Sequence, residues 1–432
     1  MRVAIVVSQF PCSDEVFILR ELRALARRGF DLRIFSLKRA SEAPLHAEAV
    51  PLVPLARYSP FLLSTEVLRR NVQLLTREPA LYARLLGTIV RETWRSAPFL
   101  WRSLAVFPEA VRWGMELRDE PVDRVHAHWA THPTTAAWIM SQIAKTPLSM
   151  TAHAHDIYLD QAMLAFKLRE AVAVLTCTAQ NRAFLEQLAP NLPPGRVRLS
   201  YHGLDLDVYK PAAAPPAVFR ILSVGTLLPR KGFDTLLDAC AILQREGVPF
   251  ECAIVGDGPM RADLEKQAQG LAPGTVKFLG KKSQEHLPDI YRSASAFVLA
   301  AVNGKPATSG AHRPSASDLI HFGIPNVILE AMACGLPVVT TRLEALGEVL
   351  QGDADVDDAR GTQNGVYVAE KDPAALAAAL AELARSPARR AAIGARAVAR
   401  IRAGFDIHVT SGEVAEALGA PAASPAAARA AV

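Results

Sequence analysis

Short apolar runs and longer amphipathic segments alternate along the chain. Residues 2–7 (RVAIVV) are almost continuously hydrophobic, which is typical of a strand buried inside a parallel sheet. Residues 15–28 instead repeat leucine at helical spacing, and Gly29 follows them as a helix terminator. Further strands are predicted at 31–37, 124–128, 148–152 and 172–176. This alternation indicates a parallel sheet with helices on its faces.

The second half of the chain repeats this design. Strands are predicted at 218–224, 250–255, 276–279 and 297–300, with helices at 233–244 and 260–268. Between the halves, residues 210–217 (KPAAAPPA) have the composition of a linker. We therefore predict an α/β protein of two doubly wound domains, residues 1–210 and 218–400. A ligand is expected in the cleft between them.

Residues 61–118 interrupt the alternation with helical sequence that contains Trp94, Trp101 and Trp113. Nine arginines and five glutamates fall in this segment. Amphipathic helices of this composition can lie on an anionic membrane. They can equally form an insertion in the first domain, with aromatic side chains packed on it and arginines in solvent. The sequence leaves both interpretations open.

Composition excludes several classes of protein. Half of the residues are hydrophobic and 21% are charged, which is ordinary for a globular chain. The net charge of +5 suits an anionic ligand or membrane surface, but no basic run with interleaved aromatics predicts a nucleic-acid partner. No stretch approaches the roughly 18 to 20 apolar residues of a membrane-spanning helix.

Cysteine usage bears on the compartment. The five cysteines are scattered, and none belongs to a Cys-x-x-Cys pair, which indicates reduced thiols. We therefore expect a cytoplasmic protein, for which peripheral contact with the inner face of the cytoplasmic membrane stays open.

One carboxylate in the second half has an unusual setting. Glu330 lies within residues 323–339 (GIPNVILEAMACGLPVV), where its neighbours are apolar. Burying a carboxylate costs free energy unless a partner satisfies it, and we expect a ligand to be that partner. A nucleotide fits, with ribose hydroxyls on Glu330 and a diphosphate on the N–H groups of the helix start. The alternative is a surface glutamate on a half-buried helix. The expected donor contacts at the helix start are Gly323, Pro325, Asn326 and Val327.

Seven motifs follow one another in an order that is more specific than any one of them. They are SDEVFI (13–18), HAHWA (126–130), TAHAHDIY (151–158), YHGLD (201–205), VGTLLPRKG (224–232), IVGDGP (254–259) and the Glu330 helix. Together they resemble the retaining glycosyltransferases of family 4. Within that family they look most like enzymes that build bacterial exopolysaccharide and colanic-acid-type repeat units.

The resemblance implies a GT-B fold, in which two Rossmann-like domains face a cleft. It implies a nucleotide-diphosphate sugar bound mainly by the second domain and a glycan or polyprenyl-linked acceptor bound mainly by the first. Sugar transfer would retain the anomeric configuration, and neither a metal nor another cofactor is expected. A helix at 405–418 is expected to return to the first domain, followed by a frayed tail at 419–432.

Basic residues and glycines are expected at the diphosphate. Lys231, with Arg230 beside it, follows a strand and precedes a helix, so its ammonium is expected to neutralise the leaving group in place of a metal. A surface salt bridge is the alternative. Thr226 stands where the family usually has an arginine. Gly256 and Gly258 would let backbone approach a phosphate or base, although an ordinary strand-to-helix turn explains them too.

Histidines are expected around the transferred sugar and the acceptor. His153 matches a histidine that the family keeps near the sugar, and Asp156 is expected to orient its ring. A loop histidine bonded to backbone is the alternative. His128 and His202 are expected on the acceptor side. Five histidines lie within 30 residues, a density that can indicate a metal site. Their spacing matches no common zinc template, so no metal is predicted. The crowded histidines are His126, His128, His132, His153 and His155.

One departure from the family pattern limits the assignment. The family usually has a second glutamate eight residues before Glu330, where this chain has Phe322. Asp318, in the preceding insertion, is a hypothetical substitute for the sugar contact. A nucleotide-sugar epimerase on the same fold and a catalytically weakened scaffold that binds nucleotide sugars are the alternative functions.

Overall fold

The computed structural model describes residues 1–11, 15–39, 47–58, 64–302, 323–350 and 364–421. The chain forms two compact units: the first holds Met1–Gly203 and Ile407–Val432, and the second holds Leu204–Asp406. Each unit is an α/β domain built on one parallel sheet. The units divide after residue 203, a few residues before the expected boundary at 210, and residues 210–217 belong to the second unit.

The elements alternate as the hydrophobic pattern predicts. The strands are β1 Arg2–Phe10, β2 Asp31–Arg39, β3 Ala56–Tyr58, β4 Arg124–His128, β5 Leu148–Ala152, β6 Ala173–Thr176, β7 Val197–Leu199, β8 Arg220–Val224, β9 Glu251–Val255, β10 Val276–Gly280, β11 Ala296–Leu299, β12 Val338–Thr341 and β13 Val366–Val368. The helices are α1 Val16–Arg27, α2 Thr65–Arg77, α3 Pro79–Thr93, α4 Ala97–Asp119, α5 His132–Ala144, α6 Ala154–Tyr158, α7 Leu164–Glu170, α8 Ala179–Leu188, α9 Phe233–Arg245, α10 Arg261–Ala268, α11 Leu287–Arg292, α12 Asn326–Ala333, α13 Pro373–Arg385, α14 Pro387–Gly404 and α15 Ile407–Leu418.

The sheet of the first domain is buried on both faces. Its strand order is β3-β2-β1-β4-β5-β6-β7, so the direction of strand addition reverses between β1 and β4. Alternate residues of β1 point to opposite faces. Val3, Ile5 and Val7 belong to the core under α1 and α15, whereas Ala4 and Val6 belong to the core under α4 and α5.

The segment predicted as a helical insertion consists of α2, α3 and α4 and packs on the first domain. Gly114 of α4 lies so close to α5 that a Cβ atom there would be 2.9 Å from Cβ of Ile143. Trp113 is fully buried, with its ring centroid 5.3 Å from that of Phe35 in β2. The insertion is therefore anchored through α4. Among the described helices, none combines the length and the apolar character that a membrane crossing requires.

The helix α15 follows the second domain in the chain but packs in the first. Val414 and Leu418 lie in the same core as Leu22 of α1. Arg28 Nε donates a hydrogen bond to Ser411 Oγ at 2.9 Å, and Arg124 Nε donates to the Leu418 carbonyl at 2.8 Å. The described residues end at 421, so most of the predicted tail lies outside them.

The second domain repeats the topology of the first. Its strand order is β10-β9-β8-β11-β12-β13, with the reversal between β8 and β11. Its core is built mainly from α9 and α13 against the sheet, with Phe233, Leu236 and Leu380 fully or almost fully buried. In an open sheet of this kind, ligands bind outside the carboxyl ends of the strands at the reversal.

Candidate donor and acceptor sites

Two adjacent cations lie at the reversal of the second sheet. Arg230 and Lys231 belong to one 3-10 turn, Pro229–Lys231, which follows β8. Gly232 ends the turn with φ +68°, and a Cβ atom there would lie 1.8 Å from the Ala300 carbonyl oxygen at the end of β11. The N–H of Val302 donates to the Arg230 carbonyl at 2.9 Å. Backbone contacts therefore hold the two basic side chains at the carboxyl ends of β8 and β11.

The charge on this turn is not neutralised by the described part of the chain. Nε of Arg230 is buried and has no hydrogen-bond partner among the described residues. Burial, followed by the neighbouring Arg230 charge, lowers the pKa of Lys231 to about 8. A bound anion stabilises two cations that lie side by side. The burial and the lack of a described acidic partner do not fit the alternative that Arg230 and Lys231 form surface salt bridges.

Gly256 and Gly258 are required by contacts within the protein. A Cβ atom on Gly256, where φ is +136°, would lie 1.9 Å from the Gly225 carbonyl oxygen. A Cβ atom on Gly258 would lie 2.6 Å from the Leu227 carbonyl oxygen. The loops after β8 and β9 thus approach each other at these positions. The interpretation as an ordinary strand-to-helix turn accounts for both glycines, and contact with a donor stays a prediction.

Glu330 is buried in α12 with 2% of its surface exposed. The prediction that it does not lie on the surface is confirmed. One of its partners belongs to the protein, because the hydroxyl of Tyr291 in α11 donates to Oε2 at 3.0 Å. Burial, with the Glu330 carboxylate next, raises the pKa of Tyr291 well above its usual range, so the phenol remains a donor. Tyr291 is thus a partner within the protein, and contact with a ligand stays a prediction.

The start of α12 lies near the predicted position. The helix runs from Asn326 to Ala333 with Pro325 as its N-cap, and Cys334 and Gly335 close it. A Cβ atom added to Gly323 would have no neighbouring atom within 4 Å. The first N–H groups of any helix lack acceptors within it, which leaves those of Asn326 and Val327 directed outward from the helix start. Asp318 and Phe322 lie outside the described residues.

A cluster of rings forms at the reversal of the first sheet. His153 follows β5 and His202 follows β7, and His153 Nδ1 lies 3.3 Å from His202 Nε2. Phe17 of α1 stacks on His202 with ring centroids 4.1 Å apart, and Trp129 lies 4.5 Å from His153. His128, at the end of β4, stacks 6.1 Å from His153. The structure thus brings the three predicted histidines of this domain together.

The His153 imidazole is buried and held neutral. Burial is the main reason that its pKa lies well below the usual range, and the neighbouring His202, His128 and His126 act in the same direction. Its Nε2 atom has no hydrogen-bond partner among the described residues. A neutral ring of this kind can donate or accept one further hydrogen bond. The alternative of a histidine bonded to backbone stays open, because the capping box at the start of α6 pairs the His153 side chain with the Asp156 backbone N–H.

Asp156 holds backbone instead of the histidine ring. Its Oδ1 accepts from the His153 backbone N–H at 2.7 Å, and its Oδ2 accepts from the Ala130 N–H. Burial raises the pKa of Asp156 to about 7, opposed by these N–H donors and by Lys167. The expected role of Asp156 in orienting the ring is therefore corrected. The reason is its position as the third residue of α6, from which a carboxylate reaches back to the residue before the helix.

Lys167 also supports the loop that follows β4. Its Nζ is fully buried and donates to the carbonyls of Ala130 and Thr131 at 2.8 and 2.7 Å. Burial lowers the pKa of Lys167 to about 7, although Asp156 acts in the opposite direction. Asp156 and Lys167 thus clamp the peptide that follows Trp129, a residue held at φ +77°. This clamp positions the Trp129 ring beside His153.

Two groups of side chains among the described residues have the donors and proximity of a metal site. One comprises Glu21, His126 and His128, and the other comprises His153, Cys177 and His202. In the first group both ring nitrogens of His126 are already close to hydroxyls, those of Ser149 at 2.9 Å and Thr151 at 3.1 Å. His128 Nε2 lies 3.3 Å from Glu21 Oε1.

Several residues of both sites were not singled out by the sequence argument. They are Phe17, Trp129, Lys167, Cys177 and Tyr291. Trp129 and Cys177 directly follow strands, and position after a parallel strand is a signal that could have identified them. Lys167 and Tyr291 lie within helices, where the sequence carries no sign that their polar atoms reach a loop or a carboxylate.

Comparisons with known proteins identify two glycosyltransferase domains in this chain. A model described as Glycosyltransferase Family 4 matches residues 71–208, and one described as Glycosyl transferases group 1 matches residues 218–386. Together they cover more than two thirds of the chain.

Relatives with assigned names are glycosyltransferases. The chain is 25% identical to the putative colanic acid biosynthesis glycosyltransferase WcaL of Salmonella typhimurium over 412 residues, which cover 89% of this chain and 91% of that protein. It is 29% identical to the amylovoran biosynthesis glycosyltransferase AmsK of Erwinia amylovora over 234 residues, which cover 54% of this chain and 52% of that protein. The match thus spans about half the length of AmsK.

A solved structure shares the fold. The Anabaena protein HepE, crystallised in complex with UDP, superposes with a TM-score of 0.63 at 18% identity, covering 97% of this chain and 99% of that one. The two Rossmann-like domains are those of a GT-B glycosyltransferase. The chain is an enzyme that belongs to glycosyltransferase family 4, with a group 1 glycosyltransferase domain as its second half.

Proposed function

We propose that this glycosyltransferase moves a sugar from a nucleotide-diphosphate sugar to a glycan or polyprenyl-linked oligosaccharide, with retention of anomeric configuration. The product belongs to an exopolysaccharide or another cell-surface polysaccharide. The names of WcaL and AmsK, colanic acid and amylovoran enzymes, support this class of product. The observation that carries the proposal is the pair of cations Arg230 and Lys231, which no described carboxylate neutralises.

The donor is assigned to the second domain. Lys231 and Arg230 bind the diphosphate, and the first N–H groups of α12 add a second contact for it. The Glu330 carboxylate accepts hydrogen bonds from the ribose hydroxyls. UDP bound to HepE supports a nucleoside diphosphate as the ligand class. Because Lys231 and Arg230 supply positive charge, the leaving diphosphate is stabilised without a metal.

The acceptor is assigned to the first domain, beside His153, His128 and His202. In the reaction the bond from the sugar C1 to the diphosphate oxygen breaks, and a bond from C1 to the acceptor oxygen forms. The acceptor hydroxyl proton passes to the leaving diphosphate oxygen. The neutral His153 ring contributes a hydrogen bond to the sugar instead of accepting this proton, because its pKa lies well below the usual range.

The donor site is tested by calorimetric titration with UDP and GDP. Lys231→Met should weaken diphosphate binding at least tenfold, since a buried charge-assisted contact is lost. Glu330→Gln should weaken nucleoside diphosphates but leave inorganic diphosphate unaffected, because the ribose contact alone is changed. Lys277→Met is the matched control: that lysine is 55% exposed and pairs with Glu251 at 3.7 Å. Equal affinity of Glu330→Gln and wild type for every nucleoside diphosphate would overturn the assignment.

The alternatives predict different reaction products. A scaffold binds the nucleotide but neither hydrolyses the donor nor transfers its sugar. An epimerase releases a changed sugar without an acceptor. Mass spectrometry of a donor screen with a pool of lipid-linked acceptors distinguishes these outcomes, and the anomeric proton signal of the product reports retention.

We also propose that the exposed side of the helical insertion contacts an anionic membrane that carries the acceptor. Trp94 and Trp101 are 62% and 69% exposed, and each is followed by an arginine, Arg95 and Arg102. The Arg95 guanidinium lies 5.1 Å from the Trp94 ring centroid. Exposed indoles beside arginines suit the boundary between lipid headgroups and acyl chains.

Charge reversal tests this contact. Arg95→Glu with Arg102→Glu should reduce co-sedimentation with vesicles that contain phosphatidylglycerol, and Lys277→Glu should not. Each basic residue near an anionic surface contributes about 1 kcal/mol, so the double reversal should weaken binding by tenfold or more. Unchanged pelleting would count against membrane contact.

A further inference from the structure

Three potential metal ligands follow three neighbouring strands of the first domain. His153 comes directly after β5, Cys177 directly after β6, and His202 three residues after the end of β7. These strands are adjacent and parallel, so their carboxyl ends meet at one edge of the sheet. The ligands are 24 and 25 residues apart in the chain. That spacing matches no short zinc motif, and only the sheet brings the residues together.

The separation of the ligand atoms suits a tetrahedral cation. One ligand atom from each residue lies within 4.8 Å of the other two. His153 Nδ1 and His202 Nε2 are 3.3 Å apart, which is long for a hydrogen bond between two nitrogens. Zinc lies about 2.0 to 2.1 Å from imidazole nitrogen, so the edge of a tetrahedral site between two imidazoles is about 3.4 Å.

The rings are held in place without a metal. Phe17 stacks on His202 at an interplanar angle of 9°, and Trp129 packs against His153. The His153 side chain is buried, with 5% of the residue surface exposed. Nδ2 of Asn181 donates a hydrogen bond to Cys177 Sγ at 3.8 Å. A preorganised site of this kind loses little side-chain entropy when an ion binds.

We propose that His153, Cys177 and His202 form a binding site for a divalent cation of the zinc class. The two imidazoles and one thiolate leave a fourth position for water, as in open zinc sites. The ion is not a cofactor of sugar transfer. Because the ion occupies Nδ1 of His153, it places positive charge beside a sugar that itself becomes positive as its bond to the diphosphate breaks, and it therefore inhibits the enzyme reversibly. The inhibition rests on the proposed function, whereas ion binding does not.

The other cluster is the weaker candidate. His126 has hydroxyl partners at 2.9 and 3.1 Å from its two ring nitrogens, so an ion there replaces a shorter hydrogen bond than the 3.3 Å contact between His153 and His202. It also lacks a thiolate, the ligand that favours zinc over hard cations.

Cobalt is the probe for this site, since Co²⁺ reports thiolate coordination through a charge-transfer band and tetrahedral geometry through intense visible bands. Titration of the chelator-treated full chain should give one equivalent of such a complex, and Zn²⁺ should displace it. Cys177→Ser should remove the charge-transfer band and weaken binding at least tenfold, because losing a ligand costs no less than losing an outer-shell partner. Cys334→Ser, a buried thiol of the second domain, is the matched control and should leave the spectrum unchanged.

Two outcomes would overturn the site. One is the absence of a thiolate band in the wild-type protein, and the other is its persistence in Cys177→Ser. If Cys177→Ser does not fold by near-ultraviolet circular dichroism, His202→Gln at a partly exposed position takes its place and should weaken Co²⁺ binding to the same degree. The Zn²⁺ concentration that inhibits sugar transfer should match the affinity measured in the cobalt displacement titration. Cys177→Ser and His202→Gln should both be less sensitive to Zn²⁺. The titration needs neither donor nor acceptor, so its failure is distinct from failure of the proposed function.

Discussion

Truncation of two tryptophans in the helical insertion should have opposite consequences. Trp113 in α4 is fully buried in the core between the insertion and the sheet, and its ring meets that of Phe35 at an interplanar angle of 61°. Trp101, in the same helix, is 69% exposed. Trp113→Ala leaves a large cavity beside the sheet, whereas Trp101→Ala removes side-chain surface that mostly faces solvent. The two substitutions delete the same atoms from one helix, so each is the control for the other.

The expected magnitudes differ by several kcal/mol. A buried tryptophan truncated to alanine costs about 3 to 5 kcal/mol. For a domain of roughly 150 to 250 residues, each kcal/mol lowers the melting temperature by about 2 to 4 °C, so a loss of about 6 to 20 °C is expected for the first domain. A surface substitution away from special contacts stays within about 0.5 kcal/mol. Trp101→Ala should therefore leave the melting temperature within about 2 °C of the wild type.

Scanning calorimetry and vesicle flotation together measure both effects. Trp113→Ala should lower one unfolding transition, and Trp101→Ala should leave the thermogram unchanged while reducing binding to anionic vesicles. Near-equal destabilisation by the two variants would refute the packing argument for α4. Unchanged vesicle binding by Trp101→Ala, in a folded protein, would refute the membrane role of the exposed indole.

Three further results are expected in the second domain. The kcat/KM for the donor should fall as pH rises through about 8, because free Lys231 then loses its proton, and Lys231→Arg should remove this limb of the profile. Tyr291→Phe should lower the free energy of unfolding by about 1.5 to 3 kcal/mol in denaturant titrations, since Glu330 loses a buried donor. Gly256→Ala should lower the free energy of unfolding by about 2 to 4 kcal/mol, because its Cβ atom would lie 1.9 Å from a carbonyl oxygen. Gly274→Ala is the control and should lower it by about 1 kcal/mol, because Gly274 has φ +81° but open space around it. Equal losses in the two variants would show that the close contact at Gly256 is not the cause.

The two domains place their candidate sites at equivalent points. In the first, His128 ends β4 and His153 follows β5, next to the reversal between β1 and β4. In the second, Lys231 lies after β8, and its neighbours Arg230 and Gly232 contact the segment after β11 at the corresponding reversal. Loops diverge on either side of a reversal and leave a space that side chains can surround. The shared topology thus explains why unrelated residue types, imidazoles in one domain and cations in the other, occupy matching positions.

The sequence by itself determined the strands that are buried on both faces. Residues Arg124–His128 and Leu148–Ala152 form strands with the predicted bounds, because each is a short segment between helical segments in the alternation that predicts a parallel sheet. The same reasoning predicted a buried Glu330, since its helical neighbours are apolar on every side. In these cases the information is local and the hydrophobic pattern contains it.

The tertiary structure alone decided pairings between distant residues. The three-residue strands β3, β7 and β13 are too short to show a period, and they form because a neighbouring strand offers hydrogen bonds. Trp113 and Trp101 look alike in sequence, but only the packing of α4 on the sheet buries one and exposes the other. Tyr291 reaches Glu330, and His153 meets Cys177 and His202, through the order of helices and strands. Contacts of this kind depend on which chain segments become neighbours, and no local pattern of hydrophobic and polar residues encodes that choice.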